Sequence, residues 1–218
     1  RFQNWEQIAN YPIDNDRKGN RTVVPGDIMY KDQNNDGVIN YLDERPIGYR
    51  VDSTPTLNFG INLSASWKGF DLAMDWTGSG MTSWNQCYET ARPFQNDGNS
   101  PDEVLKDAWH LSDIWDANSP LIPGKYPMIR LNTDETSAYD KSSYWLHNVT
   151  YLKLRNLEVG YTFPKTWLNK TGISNLRLFV SGTNLLTLSN LSVMDPECAS
   201  DNGLDYPPMR VINIGVNL

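Results

Sequence analysis

Residues 58–80 read NFGINLSASWKGFDLAMDWTGSG, and apolar and polar side chains alternate along them on both sides of a Lys-Gly pair. Successive side chains of a β-strand point to opposite faces, so the pattern predicts two strands, residues 58–67 and 70–80, each with one apolar face. Each is about ten residues long, the length that a tilted strand needs to cross a bilayer. The apolar set is Phe59, Ile61, Leu63, Ala65 and Trp67 in the first strand, and Phe70, Leu72, Met74 and Trp76 in the second.

This apolar face fits two architectures. An outer-membrane β-barrel turns such a face to lipid and carries aromatic side chains near the strand ends, where Trp67, Phe70 and Trp76 lie here. A soluble β-sandwich packs the same kind of face against a second sheet. The hairpin by itself leaves both architectures open.

Three later segments repeat the alternation and are predicted as strands, at residues 148–163, 176–186 and 209–218. Within the first of these the alternation changes phase near Asn156, which predicts a β-bulge there. The fold class is therefore all-β, with about five long strands in an up-and-down order. A short helix is predicted at residues 102–106.

Short and long connections alternate along the chain. The Lys-Gly turn and residues 164–175 are short, whereas residues 1–57, 81–147 and 187–208 are long. Outer-membrane barrels have short periplasmic turns and long external loops. The alternation therefore favours a transmembrane barrel and predicts that the long segments are extracellular.

Five strands cannot close a barrel, and open sheet edges in lipid would leave backbone groups without hydrogen bonds. We therefore expect the chain to be the C-terminal part of a larger protein. The stretch that follows Arg1 is no signal peptide, which favours the same expectation.

Composition narrows the functional classes. The net charge of −7 over 218 residues gives no indication of nucleic-acid binding. The mean hydropathy is −0.54, and no apolar run approaches the roughly 18 residues of a transmembrane helix. Barrel strands interleave polar and apolar residues, so this composition remains compatible with a barrel.

Residues 32–43 carry the spacing of an EF-hand-type calcium loop, with Gly37 at the position of the sharp turn. The last position holds Asp43 rather than the usual Glu, so we expect modest affinity. The alternative is a turn rich in Asp and Asn that binds no metal. The predicted metal ligands are Asp32, Asn34, Asp36, the backbone carbonyl of Val38, and Asp43.

Several short motifs follow one another in the order found in one family. They are PGDIMYKD (25–32), NDGVI (35–39), FGINL (59–63), KGFDL (68–72), YLKLRNL (151–157), GYTFP (160–164), LRLFVSGTNL (176–185) and DPE (195–197). In these motifs the chain resembles the SusC/RagA group of TonB-dependent outer-membrane transporters along nearly its whole length.

The resemblance implies an antiparallel barrel of about 22 strands in the outer membrane of a Gram-negative bacterium. This chain would supply the last strands and their external loops, and the plug domain and TonB box would lie outside it. The implied partners are a SusD-like surface lipoprotein and TonB, and the implied activity is the import of oligosaccharides or peptides. Residues 81–147 match the family only in scattered pieces, so the substrate does not follow from the resemblance.

Trp84, Trp109 and Trp115 lie in this long segment and are candidate contacts with substrate or partner. Aromatic rings can stack on sugars or fill protein pockets. The alternative is that they pack the segment's own small core. Cys87 and Cys198 could form a disulfide in an oxidising compartment, which the sequence alone does not decide.

The sequence offers no catalytic constellation, so we expect no enzyme. Neither histidine has a Ser or Cys nucleophile motif beside it. The loop carboxylates Asp113, Asp116, Asp134 and Glu135 fit solvated positions. Two rival functions stay open: a secreted, calcium-stabilised β-sandwich that binds carbohydrate, and a glycoside hydrolase with paired carboxylates.

Overall fold

The five predicted segments come together as one sheet in the structure, which is a computed structural model. It describes residues 1–49, 51, 54–131, 136–169, 172–197, 202–203 and 205–218. Within these residues the strands are β1 (Leu57–Trp67), β2 (Phe70–Asn85), β3 (His110–Leu111), β4 (Leu121–Ile122), β5 (Leu146–Thr162), β6 (Arg177–Ser189) and β7 (Val211–Asn217). The α-helices are α1 (Trp5–Ala9), α2 (Asp102–Lys106) and α3 (Lys165–Leu168), and single 3-10 turns cover Tyr41–Asp43, Tyr88–Thr90, Gln95–Asp97 and Ser137–Tyr139.

The main sheet has the strand order β1-β2-β5-β6-β7, so each long strand lies beside the next long strand in the chain. The β1–β2, β5–β6 and β6–β7 pairs are antiparallel. Lys68 and Gly69 form the two-residue turn between β1 and β2, with φ of +49° and +90°. Positive φ at both central residues is what a type I′ hairpin turn requires. The predicted all-β fold is confirmed.

The register of β1 and β2 separates the two faces of the hairpin cleanly. Ile61 lies opposite Trp76 and Leu63 opposite Met74 on one face, while Asn62 lies opposite Asp75 on the other. The apolar face of β1 and that of β7 are exposed. A continuous exposed apolar face is expected where a sheet meets lipid.

Charged side chains on the opposite face pair with one another across strands. Arg177 of β6 donates to Asp71 of β2, and it donates to Glu158 of β5 at 2.6 Å. Asn156 of β5 donates to Asp75 of β2 at 3.2 Å. These contacts link three neighbouring strands, and charged groups of this kind suit a water-filled space better than lipid.

The register of β5 with β6 shifts near Asn156, as the change of phase predicts. Leu154 pairs with Leu186, but Asn156 pairs with Thr183. Two residues of β6 therefore stand opposite one residue of β5, so the extra residue belongs to the partner strand. Asn184 of β6 has φ of +53° at this point, a conformation that Asn tolerates better than most residues.

Strand β2 continues five residues beyond the predicted end, to Asn85. Thr82, Ser83 and Asn85 are buried polar residues in this extension. Because buried polar residues replace the apolar ones, the alternation that reveals a strand is lost there. The segment 81–147 also contains the two-residue strands β3 and β4 and the predicted short helix, α2.

The chain divides into two units. Unit 1 is Arg1–Gly48, Asn85–His147 and Ser200–Gly203, and unit 2 is Tyr49–Trp84, Asn148–Ala199 and Leu204–Leu218. In unit 1, Trp145 is buried between Tyr126 and Tyr139 and donates its Nε1–H to the carbonyl of Ala138 at 2.9 Å. Unit 2 contains the main sheet and a small apolar cluster around Trp84 and Val149. None of the helices in the described ranges has the length and apolar character needed to cross a membrane.

Candidate functional site

Residues 32–43 form a tight loop in unit 1, and its turns follow from the residue types. Asn35 and Gly37 have φ of +61° and +83°, in the left-handed region where Asn and Gly cost least. A Cβ at Gly37 would meet no atom within 4 Å, so only the backbone conformation favours glycine there. Asn40 caps the 3-10 turn that closes the loop, because its side chain accepts a hydrogen bond from the amide of Leu42.

Three carboxylates converge inside this loop. One oxygen from each of Asp32, Asp36 and Asp43 lies within 4.8 Å of the other two. Backbone amides hold all three carboxylates in place. The amides of Asn35 and Gly37 donate to Asp32 at 2.6 and 2.8 Å, that of Val38 to Asp36 at 2.9 Å, and those of Gln33 and Asn40 to Asp43 at 2.7 and 2.9 Å.

The hydrogen bonds to Asp36 and Asp43 favour the charged form of these two carboxylates. The amide of Val38 holds the pKa of Asp36 below its ordinary value. The amides of Asn40 and Gln33 do the same for the pKa of Asp43. Both groups are therefore charged at neutral pH, and a cation between them would relieve their repulsion. Carboxylate and carbonyl oxygens in this arrangement suit a hard cation such as Ca²⁺.

The oxygens of the other two predicted ligands are already hydrogen-bonded within the loop. The Oδ1 atom of Asn34 accepts from the amide of Asp36 at 3.1 Å. The carbonyl of Val38 accepts from the side chain of Asn40 at 3.2 Å. A carbonyl oxygen has two lone pairs, so each can still bind a cation. The donor set of the loop thus fits calcium in its chemistry.

The loop is fixed to a neighbouring segment through Asp14. The amide of Asp14 donates to the carbonyl of Gly37 at 2.8 Å, and its carbonyl accepts from the amide of Ile39 at 2.9 Å. The same residue uses a carboxylate oxygen to accept from the amide of Gly19 at 3.0 Å. The positions of the ligands are therefore set before any ion binds.

A second charged cluster, in unit 2, lies around Lys153 of β5. The side chain of Lys153 is 1% exposed, and its Nζ lies 3.0 Å from Asp195 and 2.8 Å from Glu197. Arg155 also donates to Glu197. Burial alone would raise the pKa of Glu197, but hydrogen bonds from Arg155 and Lys153 outweigh it and hold the pKa below the ordinary value. These ion pairs fix the segment after β6 to strand β5.

The sequence did not predict this cluster, because the acidic partners of Lys153 and Arg155 lie more than forty residues further along the chain. The only sequence signal at the partners is the motif Asp195-Pro196-Glu197, and the motif does not indicate what these carboxylates bind.

The structure separates the three candidate tryptophans. Trp84 is buried against Val149 and Leu191, and Trp109 is buried and packs on Gly26. Their burial argues against the predicted contact with substrate or partner, because little of either ring could meet a ligand. Trp115 is 90% exposed, so for this residue the contact stays a prediction.

Some predicted features lie outside the described residues. Cys198 is one of them, so its pairing with Cys87 is untested. Asp134 and Glu135 are also outside, and their place among the loop carboxylates is likewise untested.

The sequence is similar to curated TonB-dependent receptors. It is 29% identical to TonB-dependent receptor P3 of Formosa agariphila over 236 aligned residues, which cover all of this chain and 22% of that protein. It is 26% identical to receptor P26 of the same organism, over 89% of this chain and 20% of the relative. It is 30% identical to the TonB-dependent receptor SusC of Bacteroides thetaiotaomicron over 82 residues, 35% of this chain and 8% of SusC. No family model matches.

Two solved structures have a similar fold. One is the RagAB peptide transporter, with a TM-score of 0.57 and 24% identity over 83% of this chain and 19% of that one. The other is the RagAB peptide importer in its closed-closed state, with a TM-score of 0.54 over 75% of this chain. The likeness confirms the predicted fold class, a part of a large antiparallel barrel. The chain spans about a fifth of the length of the curated relatives it matches.

Proposed function

Because the chain belongs to the SusC/RagA-like TonB-dependent transporters, we propose that it forms part of the barrel wall of an outer-membrane importer. One observation carries the proposal: a five-stranded sheet with an exposed apolar face and a face of cross-strand ion pairs. Lipid accommodates the first face, and a wet lumen accommodates the second.

The proposed activity of the whole protein is TonB-coupled import of oligosaccharides or peptides. A SusD-like surface lipoprotein would act with the barrel, and TonB would supply energy through a region outside this chain. The similar RagAB structures are those of a peptide transporter and importer, which supports the peptide class. The oligosaccharide class follows only from the resemblance to the SusC/RagA group.

The secreted sugar-binding sandwich has no such support. A sandwich needs a second sheet packed against the apolar face. In the described part of the chain the second sheet consists only of β3 and β4, with two residues each, and it belongs to the other unit.

Fractionation of cells that make the full-length protein tests the proposal. We expect recovery in the outer membrane, and mass spectrometry after extraction in mild detergent should find a surface lipoprotein bound to it. A deletion strain should then lose growth on either a peptide mixture or a glycan as sole nutrient, which identifies the substrate class. A soluble species of the size of this chain would contradict the proposal.

We also propose that residues 32–43 bind Ca²⁺ and stiffen this part of unit 1. The convergence of Asp32, Asp36 and Asp43 supports it. The shorter Asp at the last position points to a dissociation constant of about 10⁻⁴ to 10⁻³ M, as in extracellular modules.

Calorimetric titration of the chelator-treated, full-length protein with Ca²⁺ tests this second proposal. Asp36→Asn should abolish the binding heat, because it removes one of three charges from the site. Asp102→Asn is the control, since this exposed carboxylate on α2 lies outside the loop. Equal affinity in the two variants, or no heat with the unmodified protein, would contradict calcium binding here.

A further inference from the structure

The hairpin of β3 and β4 presents two large apolar side chains to solvent. Its tip, residues 112–120, carries Ile114 and Trp115, which are 72% and 90% exposed. We propose that this tip docks into an apolar pocket with a basic rim on the surface lipoprotein that acts with the barrel. The inference rests on the proposed function, and it names one contact point of the proposed partner.

The base of the hairpin is fixed to the core of unit 1. The amide of Trp109 donates to the carbonyl of Tyr126 at 2.9 Å, and the amide of Tyr126 donates to the carbonyl of Asp107 at 2.8 Å. Tyr126 is buried and stacks on Trp145. The exposed tip is therefore held by a rigid base.

The tip is also ordered by its own hydrogen bonds. The carboxylate of Asp113 accepts from the amide of Trp115, and that of Asp116 accepts from the amide of Asn118, both at 2.9 Å. The hydroxyl of Ser119 donates to the carbonyl of Asp113 at 2.9 Å. A tip that is already ordered loses little conformational entropy on binding, which favours affinity.

The chemistry of the tip indicates the kind of partner. Trp is among the residues that most often dominate protein interfaces, and a neighbouring Ile extends the apolar surface. Asp113 and Asp116 flank the pair, and no Lys or Arg occurs between residues 111 and 124. An acidic surface of this kind is repelled by anionic lipid and attracted by Lys or Arg around a pocket.

A protein pocket fits these features better than a sugar does. Sugar sites combine an aromatic ring with converging polar groups that orient the ligand. Here the side chains of Asp113, Asp116 and Ser119 bond to the backbone of the tip itself. The remaining contact surface is mainly apolar, so we expect it to be covered by apolar groups of a protein.

The test measures the affinity of the full-length transporter for its co-purified lipoprotein in detergent. Trp115→Ala should weaken binding about tenfold or more, as for a buried interface Trp, and Trp115→Phe should keep most of the affinity. Trp5→Ala is the matched control, because Trp5 is also exposed but lies on α1. Binding should weaken further at high salt, since the acidic flanks contribute.

The outcomes distinguish a failure of the docking of the tip from a failure of the proposed transporter and its partner. Unchanged affinity in Trp115→Ala, with a stable complex in the unmodified protein, would overturn the docking of the tip and leave the transporter proposal intact. Lost uptake with an intact complex would assign the tip to the substrate and would likewise overturn the docking. If no lipoprotein binds the unmodified protein, both the docking and the proposed partner fail.

Discussion

Replacing Lys153 with Met should release the segment that follows β6 from strand β5. Met has a similar length and keeps most of the apolar contacts of the lysine stem, but it removes the charge. Asp195 and Glu197 would then face a buried apolar group in place of an ammonium that lies 3.0 and 2.8 Å away. Arg155 would still pair with Glu197.

The burial of this cluster sets the size of the effect. Lys153 is 1% exposed, and the side chains of Asp195 and Glu197 are 16% exposed, so solvent screens their interaction little. Removing one partner of a buried ion pair typically costs about 3–5 kcal/mol, because a charge is left without compensation. The second mutation Asp195→Asn should recover part of this cost, since it removes the uncompensated charge.

Hydrogen exchange of the full-length protein in detergent measures this local opening. The amide of Glu197 donates to the carboxylate of Asp195 at 3.0 Å, so it reports directly on the segment. A loss of about 3–5 kcal/mol should speed exchange in residues 191–197 by roughly 10²-fold to 10³-fold or more, since about 1.4 kcal/mol corresponds to tenfold.

The control is an exposed ion pair in unit 1. Arg17 and Asp140 pair at 3.0 Å with side chains 54% and 41% exposed. Arg17→Met should change local exchange by less than tenfold, because exposed pairs contribute about 0–1 kcal/mol. Unchanged exchange in Lys153→Met, or equal effects of the two substitutions, would refute the reasoning from burial.

Three further substitutions test separate parts of the structure. Gly26→Ala should destabilise the full-length protein by about 1–3 kcal/mol in a denaturant titration. The added Cβ would lie 2.5 Å from the ring of Trp109, and the φ of this residue is +93°. Gly19→Ala is the control and should cost less, because Gly19 has a φ of +70° and open space around it. Burial alone would raise the pKa of Asp16, but hydrogen bonds from backbone amides and a hydroxyl lower this pKa from 3.8 to about 2. The charged carboxylate therefore stabilises the fold above pH 3.8, and this contribution is lost as the pH falls towards 2. The amides of Lys18, Asn20 and Thr22, which donate to Asp16, should therefore lose protection against hydrogen exchange as the pH falls below 4. Asp16→Asn should lower this protection at every pH; protection without pH dependence in the unmodified protein would contradict this. Ile61→Lys, on the apolar face, should impair membrane assembly by about 2–4 kcal/mol, whereas Ser64→Lys on the opposite face should be tolerated; equal assembly of the two variants would contradict the assignment of faces.

The strands were predictable because, in a sheet with one wet and one apolar face, polar and apolar residues alternate along each strand with a period of two. The hairpin at Lys68-Gly69 and the register shift near Asn156 follow from that alternation. The end of β2 was not predictable, because buried polar residues such as Ser83 interrupt the alternation.

The calcium-type loop was predictable in outline because its ligands lie within twelve consecutive residues. Turn chemistry at Asn35 and Gly37 is local, and the convergence of three carboxylates follows from it. Hydrogen bonds that engage Asn34 and Val38 within the loop could not be read from spacing alone.

The sequence by itself determined the alternating strands, the hairpin turn and the order of ligands in the loop, because each depends on neighbours a few residues away. Only the tertiary structure decided that Trp109 is buried and Trp115 is exposed, and that Lys153 meets Asp195 and Glu197. The physical reason is that burial and ion pairing depend on which distant segments meet. Residue type and local periodicity carry little information about such contacts.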